Sequence, residues 1–169
     1  GTAGDNATFS RTFDVTVNAG NDTPTLDALS NLSIAEDAAQ QTVNLAGITA
    51  GGGESQPLRV TASSSTGLIP NSTVNYTSAN ATGSIAFTPM ADQSGTATIT
   101  VTVEDGGLDG NLSTAGDNAT FSRTFDVTVN PLDDFGDAPA PYPTTLAEDG
   151  ARHSDVGPRL GATRDEESD

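Results

Sequence analysis

The sequence predicts an all-β fold, a seven-stranded sandwich, and three observations point to it. Apolar residues recur at every second position, most cleanly at Ala97, Ile99, Val101 and Val103, which are separated by threonines. That period of two puts one face of a strand in a core and the other in water. Clusters of Gly, Pro, Asn, Asp and Ser interrupt these runs at turn spacing. No stretch carries the apolar period of an amphipathic helix.

Taken in order, the alternation predicts strands over 32–36, 42–46, 58–63, 73–77 and 84–88. The long run through Ala97–Val103 is the sixth, and 120–129 the seventh, where Phe121, Phe125, Val127 and Val129 alternate with polar neighbours. Threonine at the outward positions suits a pleated, half-wet surface, because β-branched side chains fit it. An internal repeat sets the scale of the unit. Residues 2–18 and 114–130 are the same seventeen residues, TAGDNATFSRTFDVTVN, at an offset of 112 positions. Tandem copies of a unit of that length are implied, so the chain reads as a piece of a longer modular protein. The repeat places 1–18 as the last strand of a preceding unit and 22–130 as a complete sandwich. Polar, Pro-containing connectors at Asn18–Pro24 and Asn130–Phe135 mark the joints. Beyond them, 131–169 is rich in proline and ends on acids, which reads either as the start of a further module or as a linker.

Composition narrows the function. The 169 residues include 23 acidic and 6 basic side chains, for a formal charge of −17, with no lysine, cysteine or tryptophan. Nothing in that balance neutralises phosphates, so nucleic acid and anionic membranes are excluded as expected partners. An enzyme is not expected either. His153 is the sole histidine, no G-x-S-x-G elbow presents a serine, and Gly51-Gly52-Gly53-Glu54 lacks the lysine of a phosphate loop.

Oxygen is then the one metal-ligand type in good supply, which suits calcium, a hard cation that takes six to eight oxygens. The candidate ligands sit where strands end: Glu36 and Asp37 after the first, Asp105 and Asp109 after the sixth, Asn21 and Asp22 at one joint, Asp133 and Asp134 at the other. In such a sandwich Asn21, Asp22 and Asp105 fall toward one end, and Glu36 and Asp37 toward the other. Asp, Asn and Gly are also ordinary turn formers, and the spacing leaves both roles open.

The stretch NDTPTLDAL…LSIAEDA…GESQPLRVTA…SGTATITVTVEDGG…FDVTVN resembles the cadherin-like and Ig-like tandem repeats of large bacterial surface proteins, over about 22–130. That resemblance implies an extracellular or cell-surface spacer or adhesin segment, stiffened by calcium where neighbouring repeats meet. It also matches Asp105, Glu36 and Asn21-Asp22 to the acidic positions of such repeats. The tail Asp134-Phe135-Gly136-Asp137-Ala138-Pro139, with Gly150-Ala151-Arg152-His153, resembles the start of a GEVED-type module. Expected partners are neighbouring repeats of the same chain and cell-surface glycans or proteins. The alternative is a carbohydrate-binding module, for which the only tyrosines are Tyr76 and Tyr142. Because 8–17 repeats 120–129, a strand-swapped dimer is a further expectation.

Overall fold

A computed structural model describes residues 4, 8–18, 20–70, 72–135 and 152–154, the last three and 133–135 by backbone alone. Seven strands build its body: β1 (Leu32–Ala35), β2 (Gln41–Leu45), β3 (Leu58–Ser64), β4 (Thr73–Asn75), β5 (Gly83–Phe87), β6 (Gly95–Asp105) and β7 (Thr120–Asn130). Each matches an expected strand, with ends shifted by at most two residues. One sheet has the order β1-β7-β6-β3 and the other β2-β5-β4. β6 pairs antiparallel with β7 from Gly95↔Val129 to Glu104↔Thr120, and with β3 from Leu58↔Asp105 to Ser64↔Ile99. β1 lies parallel to β7, Leu32 opposite Val127 and Ala35 opposite Asn130. Two sheets with the first strand parallel to the last make this an immunoglobulin-like β-sandwich.

The core follows from the alternation. Ala97, Ile99, Val101 and Val103 of β6 and Phe125, Val127 and Val129 of β7 point inward, against Leu45, Ile85, Phe87 and Ile69. Burying each of these side chains except that of Ala97 contributes about 1.5–3 kcal/mol. The outward face of the larger sheet carries hydroxyls, some paired across strands: Thr102 Oγ1 lies 2.8 Å from Ser122 Oγ, and Thr98 Oγ1 donates to Asp126 Oδ1 at 2.7 Å. Pairs of this kind are worth a few tenths of a kcal/mol each, about 0.2–1.

An arm precedes β1 and stitches the sheets together. Thr25 N–H donates to Thr49 O and Asp27 N–H to Ala46 O, beyond the end of β2. Further on, Leu26 O accepts from Arg123 Nε and Asn31 Oδ1 from Asp126 N–H, along β7. Upstream of the arm, 8–18 forms no strand, and Phe9, Phe13, Val15 and Val17 stand open to solvent. In the tail, β8 (Asp133–Phe135) pairs antiparallel with β9 (Arg152–Ser154). Residues 136–151 and 155–169, on which the expected GEVED-type likeness largely rests, lie outside the described residues. Among the described residues no helix is long and apolar enough to cross a membrane.

Candidate functional site

The inward register of a strand does not stop at its last hydrophobic residue. On β6 the series Ala97, Ile99, Val101, Val103 continues to Asp105, whose side chain is fully buried (0% exposed). On β1 the series Leu32, Ile34 continues to Glu36, 3% exposed. Each carboxylate is thus carried into an end of the core, and a buried charge is tolerated only where donors or a cation meet it. Asp105 and Glu36 occupy opposite ends of the sandwich.

At the first end, Asp105 Oδ1 accepts from Asn21 Nδ2 (3.1 Å), Gly107 N–H (3.0 Å) and Ala119 N–H (2.9 Å). Asp105 Oδ2 is buried and has no hydrogen-bond partner. Asn21 also donates to Asp117 O and accepts from Gln56 Nε2 at 2.8 Å. Gln56 donates in addition to Glu54 Oε2, which accepts from Asp22 N–H. The structure therefore brings Asn21 to Asp105, across 84 residues of sequence, whereas the Asp22 carboxylate lies against the Gly51–Gly52 turn.

Two more oxygens at this end, Gln56 Oε1 and Asn118 Oδ1, are buried without a donor. The end is lined with acceptors that lack protons to accept. Gly51, Gly52 and Gly53 all have positive φ, and a side chain on Gly51 or Gly52 would run into Thr23 O or the Asp22 carboxylate. The glycine run is a tight turn over the arm, the use that a lysine-free run leaves open.

Asp109 is used differently. Its Oδ1 accepts from Asn111 N–H and its Oδ2 from Thr114 Oγ1, while Asp117 Oδ2 caps Leu108 and Asp109 N–H. These carboxylates build the β6–β7 loop, the turn-forming role.

At the opposite end, Glu36 Oε1 accepts from Leu132 N–H (2.9 Å), and Glu36 N–H donates to Asn130 O (2.7 Å). Asn130 Nδ2 donates to Ser33 Oγ and Ile34 O. Glu36 thereby fastens the chain where it leaves the sandwich. Asp37, at φ 58, accepts from Asp92 N–H through Oδ1 (3.1 Å) and shapes a turn. Asp133 and Asp134 pair by backbone with Ser154 and His153, and their side chains lie outside the described residues.

Among the described residues no three Asp, Glu, His or Cys side chains are grouped as a metal site of their own would require. At the Asp105 end, Asp105 Oδ2, Gln56 Oε1 and Asn118 Oδ1 are the buried oxygens without a donor, and they are the atoms there that could face a hard cation. Glu54, Gln56, Asn118 and Asp92 escaped the sequence reading. For Gln56 the signal was there, since Gln56, Leu58 and Val60 share the inward register of β3 extended backward by two residues.

No family model matches this sequence, and no curated protein is significantly similar to it. Among solved structures it is similar to the ASH / PapD-like domain of human CEP192 (PapD-like domain 7). The identity is 13% and the TM-score 0.39, over 73% of this chain and 96% of that one.

Tyr76, the described tyrosine, packs against the core, its hydroxyl is buried without a partner, and burial raises its pKa. The ring is half-buried and lines a surface pocket with Val74, Thr77 and Asn80.

Proposed function

We propose that this chain is a segment of an extracellular tandem-repeat spacer or adhesin whose sandwiches join end to end and are stiffened by calcium at the joints. The observation that carries the reading is the buried Asp105 carboxylate, one oxygen of which has no donor, hydrogen-bonded to Asn21 of the joint itself.

The repeat adds the geometry of that joint. Asn18 is the counterpart of Asn130, the residue that Glu36 fastens at the far end of a sandwich, and Gly20 is the counterpart of Leu132. Only Ala19 and Gly20 separate Asn18 from Asn21. Three Cα–Cα steps span at most ~11 Å, so the Glu36 end of one repeat abuts the Asp105 end of the next. Calcium there would be held by Asp105, Asn21, Asp22, Glu54 and Gln56 together with the acids of the preceding repeat. It would replace missing donors and offset repulsion within a chain of net charge −17. Cadherin-like repeats of bacterial surface proteins are the family this reading favours.

Calcium titration by calorimetry on the full chain tests it, with magnesium as the control. Saturable heat with calcium that is lost in Asp105→Asn is the expected result. Equal heats for both cations, or a response unchanged in Asp105→Asn, contradicts the assignment.

A further inference from the structure

At the edge of the smaller sheet, β4 turns into β5 through residues 76–82, and the turn walls a surface pocket of about 400 Å³. Its lining is Val74, Asn75, Tyr76, Thr77, Asn80 and Thr82. Strand alternation sorts these side chains. Val74 and Tyr76 take the inward register and are half-buried against the core, while Asn75 and Thr77 take the outward one and are exposed, as are Asn80 and Thr82. Gly83 seats the tyrosine ring, because a Cβ there would come 3.0 Å from Asn75 O and 3.2 Å from Tyr76 Cδ2. The turn is fastened at three points. Asn80 N–H donates to Thr77 O (3.0 Å), Ile48 N–H to Ala81 O (3.1 Å) and Leu58 N–H to Ser78 Oγ (2.8 Å). Walls held in place before a ligand arrives reduce the ordering cost of binding.

The lining selects a class of ligand. The chain carries 23 acids and 6 bases, yet among the described residues none of them lines this pocket. A cation has no carboxylate to meet there, and an anion no base. Two amides and two hydroxyls supply both donors and acceptors, which suits a ligand rich in hydroxyl groups. Val74 and the Tyr76 ring supply an apolar wall, and the Tyr76 hydroxyl is buried without a partner. A volume of about 400 Å³ lies at the lower end of ligand pockets, which run from about 300 to 1,000 Å³, and holds a small sugar.

We propose that this pocket binds a neutral sugar at the end of a glycan, which gives the segment an adhesive contact of its own beside the spacing proposed above. Asn75, Thr77, Asn80 and Thr82 hydrogen-bond the ring hydroxyls, and Tyr76 with Val74 carries the apolar face of the ring. No cation enters, so the pocket and the calcium joint stand or fall separately.

The test is an NMR titration of the isotope-labelled full chain, in chelator, with the methyl glycosides of glucose, galactose, mannose and N-acetylglucosamine. N-acetylneuraminic acid is the charged control. At least one neutral glycoside should bind saturably, at the millimolar level that a ligand of about a dozen heavy atoms allows, with amide shifts confined to residues 74–83. Asn80→Ala and Thr82→Ala, both at exposed positions, should keep the parent's thermal melt and each weaken that binding by roughly fivefold. Shifts that saturate with none of the four, that map to another surface, or that persist unweakened in both variants overturn the proposal. So does equal binding of N-acetylneuraminic acid.

Discussion

Phe13 and Phe125 are the same residue in the same eleven-residue context, one 85% exposed and the other 2%. Neither intrinsic propensity nor neighbours in sequence distinguish them; only the partner strands do. Phe125→Ala should therefore cost about 3–5 kcal/mol in urea unfolding, whereas Phe13→Ala should stay within about 0.5 kcal/mol of the parent. Asp105 makes the corresponding case for a polar residue. Asp105→Ala strips acceptors from Asn21 Nδ2, Gly107 N–H and Ala119 N–H, and leaving buried donors unmet should cost about 3 kcal/mol by the same measurement. Asp105→Asn keeps one oxygen and should cost less.

At the scale of elements, β3 and β6 are also bridged on the outer face by Arg59 and Glu104, with Arg59 Nε 3.0 Å from Glu104 Oε2. The hydrogen bond from Arg59 holds the Glu104 carboxyl below its ordinary 4.5. A carboxyl lowered on folding stabilises above its unfolded pKa, and that stability is lost as pH falls through the folded value. Glu104→Gln should thus be less stable than the parent by about 0.5 kcal/mol near pH 7, and chemical unfolding repeated below pH 4.5 should show the gap closing. The strands themselves were legible in the sequence because alternation is local: Ile99, Val101 and Val103 announce β6 without knowledge of any partner. The parallel lie of β1 along β7 was not legible in the same way, because no local pattern encodes which strand an edge joins or in what register. The acids were half legible. Asp105 and Glu36 lie on the inward register and are buried, while Asp37 and Asp109 look alike in sequence and turn out to close loops. Glu54 and Asn118 were hidden because their roles come from contacts made across the end of the sandwich, Glu54 with Asp22 and Asn118 with Glu104.

For the whole molecule, the two ends of the sandwich are chemically different. One holds Asp105 and a surplus of unmet acceptors; at the other Glu36 meets backbone donors from the departing chain. In the tandem array we propose, a two-residue spacer would set these unlike ends against each other. The most direct measurement rebuilds that joint by duplicating residues 19–130 within the full chain, since Asn130 followed by Ala19 reproduces Asn18 followed by Ala19. Its thermal melt would be recorded in calcium, in magnesium and in chelator at fixed ionic strength. Calcium at about 100 times its dissociation constant adds ~2.7 kcal/mol, which for a sandwich of this size raises the midpoint by roughly 10 °C. The account predicts such a rise in calcium alone, larger in the duplicated chain than in the single one and abolished by Asp105→Asn in the downstream copy. Superimposable melts in all three solutions would contradict it, leaving Asp105 and Glu36 as buried acceptors of hydrogen bonds and the other end acids as turns.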